Sequence, residues 1–172
     1  MHLAEQRVRE TVESAFDGVP RPGTSLLQFQ LIDQKGMAGT ITDEEWRLAG
    51  TARTDATWQD ISDLEIEHSG CQLAHMQADA FRYYLPAYLL YVMGRASSSV
   101  WESAIHGFVV FALTPSKLHP TYTAMQYGLL NARQHEAIAM FLEYMASNAD
   151  DHCRRGAERA LAAWKPGSRI AD

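Results

Sequence analysis

The chain has 172 residues, of which 47% are hydrophobic and 21% charged, with a formal net charge of −6. That length buries one sizeable core without metal or disulfide staples, and the composition excludes a disordered or fibrous chain. Two cysteines, Cys71 and Cys153, are too few for a disulfide framework and are expected as free thiols.

The opening MHLAEQRVRETVESAF interleaves glutamates with apolar residues and has no continuous apolar run of a secretory signal, so a cytoplasmic protein is expected. Leu3, Val8, Val12, Ala15 and Phe16 fall near one side of a helix, which Val19-Pro-Arg-Pro-Gly23 ends. The next segment, 18–41, reads as loop-rich. Within it LLQFQLI, residues 26–32, alternates apolar residues with glutamine and predicts a short strand or an extended loop. Thr42 with Glu45, Ser99 with Glu102, and Asn131 with Gln134 each have the spacing of a capping box, in which two side chains three apart satisfy the orphan donors of a helix start. After Ser99, the positions Trp101, Ala104, Ile105, Phe108 and Ala112 keep helical spacing until Thr114-Pro115. After Asn131, Ile138, Phe141, Leu142 and Met145 do the same, and Cys153, Ala157, Ala160, Leu161 and Trp164 give a last stripe.

The most distinctive stretch is FRYYLPAYLLY, Phe81–Tyr91. Its apolar run reaches only to Met93, too short to cross a membrane. A helix apolar on nearly all sides is a buried central one, Pro86 predicts a kink or a helix junction inside it, and the tyrosines are expected to bury their rings and aim their hydroxyls at partners. The fold class expected is all-α: one domain over 1–172, a helical bundle around this proline-kinked helix, with the later helices and the C-terminal helix packed on it.

With Trp58-Gln-Asp-Ile61 before it, and Leu129-Leu-Asn-Ala-Arg-Gln134 and Phe141-Leu-Glu-Tyr-Met145 after it, this motif resembles a family of small bacterial all-helical proteins catalogued as a domain of unknown function. The resemblance runs from about residue 42 to Trp164. It implies a shared helical fold and no catalytic residues, and it is compatible with a toxin-immunity role.

For chemistry, His68, Cys71 and His75 would share one face of a continuous helix and could supply three zinc ligands, although Ser69-Gly70 weakens helix formation there. A small metal-dependent enzyme using these three residues is therefore the alternative reading. Ser97-Ser-Ser99 lacks the strand-turn-helix setting of a nucleophile elbow, and Gly36 and Gly39 have neither common phosphate-loop order. Asp150-Asp151-His152 reads as an N-terminal charge cap, and His106 and His135 as structural residues.

The charge map carries the functional expectation. Asp43, Glu44, Glu45, Asp55, Asp60, Asp63, Glu65 and Glu67 face only Arg47 and Arg53 within 43–67, so this one segment holds the whole formal excess of −6. Such a field repels nucleic acid and favours encounter with a cationic surface. The function expected is a non-enzymatic protein-binding module without cofactor, a cytosolic immunity protein whose acidic segment meets a basic toxin or effector domain, with no nucleic-acid or membrane partner.

Overall fold

Helix starts written into the sequence are where several helices begin. The computed structural model describes residues 3–98 and 104–165, and there it contains nine α-helices and no strand. α1 (Leu3–Ala15) buries Val8 and Val12, with Phe16 buried just past its end, and the chain leaves it through Gly18 at a positive φ of 65°. α3 (Asp43–Thr51) and α8 (Ala132–Asn148) are opened by the Thr42–Glu45 and Asn131–Gln134 capping boxes. Ser99, Glu102 and Trp101 lie outside the described residues, and α6 (Ile105–Ala112) starts without a side-chain cap.

The segment 26–32 is a helix, not a strand: α2 spans Leu26–Lys35. The apolar-glutamine alternation misleads because Gln28 is buried, not solvated. Its Oε1 accepts the Ser25 amide at 2.8 Å, completing a capping box, while its Nε2 donates to the Trp46 carbonyl of α3 at 3.0 Å. Leu26 and Phe29, three apart, then face the core as a helix requires. Segment 18–41 is accordingly half helix. α4 (Asp63–His68) opens on a further capping box, Ser62 with Glu65, and one-turn 3-10 helices at Trp58–Asp60 and Gln72–His75 flank it.

α5 (Ala78–Met93) is the buried centre, with twelve of its sixteen residues out of solvent. It runs through Pro86 as one helix, so no junction falls there; the proline removes only its own donor from the ladder. Four tyrosine rings disappear into the core and their hydroxyls reach four separate points of the preceding chain. Tyr83 donates to Asp55 (2.7 Å), Tyr84 to the Thr24 carbonyl (3.0 Å), Tyr88 to the Ser69 carbonyl (2.6 Å) and Tyr91 to Glu67 (2.8 Å). These bonds satisfy hydroxyls that burial would otherwise penalise, and they hold the short helices of the first half against α5.

The second half packs by apolar faces. α8 lies along α9 (Asp151–Trp164) and α1, and α9 crosses α6, so the C-terminal helix rests mainly on its neighbours, not on α5. α7 (Pro120–Tyr127) covers α5 through Tyr127, whose ring sits between Phe81 and Trp164. Gln134, fully buried, joins three helices: its Oε1 accepts from Arg82 of α5 at 3.1 Å and its Nε2 donates to the Ala15 carbonyl at the end of α1 at 3.1 Å. The face of α6 is rotated from the expected stripe. Ile105, His106, Val109 and Val110 are buried, whereas Phe108 is 40% exposed.

Candidate functional site

The eight acids of 43–67 do not form one uniform surface. Asp55 is 5% exposed and belongs to the interior. Arg53 donates to its two carboxylate oxygens at 2.9 and 2.5 Å, and Tyr83 donates at 2.7 Å. Burial alone would raise this carboxyl, but the hydrogen bonds from Arg53 and Tyr83 outweigh it and hold Asp55 below the usual carboxylate range. Arg53 also donates to the Pro22 carbonyl at 2.7 Å and to the Tyr84 hydroxyl at 3.2 Å. Asp55 is therefore a strut between the 20–24 turn and α5, and is withdrawn from any partner-binding face.

Three more acids are helix-start residues. Glu45 accepts from Lys35 and from the amide and hydroxyl of Thr42, which together lower its carboxyl to about 2. Asp60 accepts from the amides of Thr57 and Ala56 and from the Thr57 hydroxyl, and these bonds lower it below the ordinary value. Glu65 accepts from the Ser62 amide at 2.9 Å and hydroxyl at 2.7 Å. Asp63 pairs with Arg95 at 2.8 Å, and Arg95 in turn lies over the Tyr91 ring. Asp43 and Glu44, exposed in the first turn of α3, have no cation in contact among the described residues.

Glu45 and Asp60 keep their charge while they cap, and α3 and α4 each carry exposed acids. The two helices also carry exposed apolar side chains that the charge map does not reveal: Trp46 is 37% exposed, Leu48 50% and Leu64 59%. On α3, Trp46 lies one turn from Asp43, an apolar anchor beside an acid as interaction surfaces have.

His68, Cys71 and His75 are not brought together as ligands. α4 ends at His68, and the chain turns at Ser69-Gly70 before the 3-10 helix that carries His75, so the three do not share one helical face. Among the described residues no group of three His, Cys, Asp or Glu side chains is placed to hold a metal ion. Both cysteines are free thiols. Burial, followed by the nearby Asp33 carboxylate, raises Cys71, and burial with Asp150 raises Cys153 to about 11, so both stay protonated near neutrality and are poor nucleophiles. His106 is buried and its Nε2 donates to the Arg95 carbonyl at 2.7 Å, while Asp150 caps α9 by accepting the Cys153 amide at 2.9 Å. No helix among the described residues is long and apolar enough to cross a membrane.

Sequence reading missed a cavity of about 640 Å³ between α6, α9 and the Gln72–His75 turn. Cys71 and His75 line it from one side, Gly107, Phe108 and Phe111 from a second, and Cys153, Gly156 and Arg159 from a third. The only local signals for it are the two glycines inside otherwise regular helices, at 107 and 156.

A family model described as a family of unknown function, DUF6714, matches residues 4–166. No curated protein and no solved structure matches the chain.

Proposed function

Since the chain belongs to the DUF6714 family, a family of unknown function, membership supplies no activity, and we propose from the geometry that it is a protein-binding module for a basic partner. The observation that supports this reading is the exposed surface of α3. There Asp43 and Glu44 have no counter-ion among the described residues, and Trp46 stands exposed one turn from Asp43 and Leu48 one turn from Glu44. Charge of one sign speeds encounter with a cationic surface, and a partly exposed tryptophan supplies the desolvated anchor that slows dissociation. In its most concrete form the module is an immunity protein that occupies the basic cleft of a cognate toxin, where acids stand in for the phosphates of a nucleic-acid substrate.

The probes follow from the roles above. Asp55, Glu45, Asp60 and Glu65 hold the fold, so charge reversal at those positions confounds binding with stability. Asp43→Lys with Glu44→Lys leaves the core and caps in place. The tagged protein is used to capture partners from its own organism's lysate at low salt, beside this double variant and Trp46→Ala. The reading expects one basic protein at near one-to-one ratio. Its association is slowed about tenfold or more by the double charge variant and by raised salt, and its dissociation is hastened by Trp46→Ala. A partner retained equally by all three proteins at low and high salt would refute it.

A further inference from the structure

The cavity between α6, α9 and the Gln72–His75 turn is a second site, distinct from the acidic face. Its volume of about 640 Å³ lies within the roughly 300–1,000 Å³ typical of small-molecule sites. Its walls are apolar over the faces given by Ala74, Val110, Phe108 and Phe111, and Phe111 is 67% exposed.

Among the described lining residues the formally charged side chain is a cation. Arg159 of α9 lines the cavity without an ion pair among the described residues, and His75 and His152 are the other ionisable nitrogen groups on its walls. Among the described residues no carboxylate lines it. Three acids adjoining the lining residues in sequence or by contact are engaged elsewhere: Asp33 accepts from the Cys71 thiol and from Gln72, Asp150 caps α9, and Asp151 pairs with Arg154. The two thiols that face the cavity are protonated, so they add no negative charge.

Gly107 is what opens the space. It sits inside α6, where glycine weakens a helix, and a Cβ built there meets nothing within 4 Å. No close approach by another part of the protein requires the missing side chain. Gly156 across the cavity differs, since a Cβ there would come 2.9 Å from Val110 Cγ1. One glycine is demanded by packing; the other keeps a wall of the cavity clear.

We propose that this cavity binds an amphipathic monocarboxylate, an aliphatic chain or aryl group whose acid end is held by Arg159 while its apolar body lies against Phe108, Phe111 and Val110. A guanidinium matches a carboxylate in a two-pronged, charge-assisted arrangement, which sets this ligand class apart from a neutral lipid or an amine.

The test uses the full chain with two probes of equal length, dodecanoate and dodecan-1-ol, below their aggregation limits, read by titration calorimetry and by thermal shift. Dodecanoate is expected to bind at one per chain, raise the melting temperature, and bind at least about tenfold more tightly than the alcohol. Arg159→Gln should weaken dodecanoate by about the same factor and leave the alcohol unchanged. Gly107→Leu, which fills the cavity from a position with free space and a better helix former, should melt no lower than wild type and bind neither probe. Absence of dodecanoate binding to wild type, or binding that survives Gly107→Leu, overturns the site. Equal affinity for acid and alcohol overturns the assignment of a carboxylate.

Discussion

Replacing Asp55 with alanine removes the acceptor on which a buried cluster closes. Three hydrogen bonds are lost, two from Arg53 and one from Tyr83. What remains is worse than the loss itself. The Arg53 side chain, 11% exposed, keeps its charge with only the Pro22 carbonyl and the Tyr84 hydroxyl to meet it, and the fully buried Tyr83 hydroxyl has no acceptor. Breaking one side of a buried pair costs about 3–5 kcal/mol, mostly as the penalty on the abandoned charge. Against a total stability of about 5–15 kcal/mol this is a large share, and it lowers the melting temperature by ~10 °C or more. Urea unfolding followed by circular dichroism measures it, with an unchanged slope showing that the folded state keeps its extent. The double variant Arg53→Met/Asp55→Leu removes both charges and should lose less than Asp55→Ala alone. The sign with pH follows from the depressed carboxyl: the folded-state value lies below the unfolded one. The contribution is therefore complete above about pH 4 and is lost as pH falls through the folded value, so the gap between wild type and Asp55→Ala narrows in acid. A loss under about 1 kcal/mol for Asp55→Ala, or a double variant worse than the single one, would refute the account of a charge-closing strut.

The two cavity glycines predict opposite responses to the same substitution. Gly107→Ala should stabilise by about 0.5–1 kcal/mol through helix propensity alone, whereas Gly156→Ala should destabilise by about 1–3 kcal/mol because the stiff, buried Val110 cannot yield to the new methyl; thermal melts of both variants decide it. At the alkaline end, burial raises the hydroxyls of Tyr83, Tyr84 and Tyr88, and burial with the Glu67 contact raises Tyr91. Stability held by these groups is complete below about pH 10 and falls above it, by ~1.4 kcal/mol per pH unit for each tyrosine. Phenolate absorbance is thus expected to appear together with the loss of helical signal, and gradual ionisation in a still-folded protein would contradict the buried arrangement.

Much of the helical frame is visible in one dimension because it is set by short-range rules. Thr42–Glu45 and Asn131–Gln134 mark true helix starts, and the all-round apolar character of 78–93 marks the centre. α2 escapes the same rules because a buried glutamine imitates a strand's outward residue, although Ser25–Gln28 is itself a capping box. α4 escapes them through brevity, with only six residues for a stripe. The acidic segment was legible as charge but not as roles. Which acid is a strut and which is free depends on partners far along the chain: Tyr83 for Asp55, Tyr91 for Glu67, Arg95 for Asp63. The cavity is further from sequence still, since its walls come from three segments that only the packing of α6 and α9 brings together.

The tyrosine hydroxyls of α5 also fix an order of events. Thr24, Asp55, Glu67 and Ser69 each find their partner on a helix that is made after them, and every one of those four bonds runs from a later residue to an earlier one. A chain leaving the ribosome exposes the short helices of residues 26–75 before the element that holds them exists. At about 5–20 residues per second, the 16 residues from the end of that stretch to Tyr91 take about 1–3 s to follow. Helices this short do not persist alone in water. The first half of the protein therefore waits as an unfolded, strongly acidic chain, whose own charge keeps it extended and apart from its neighbours until α5 arrives.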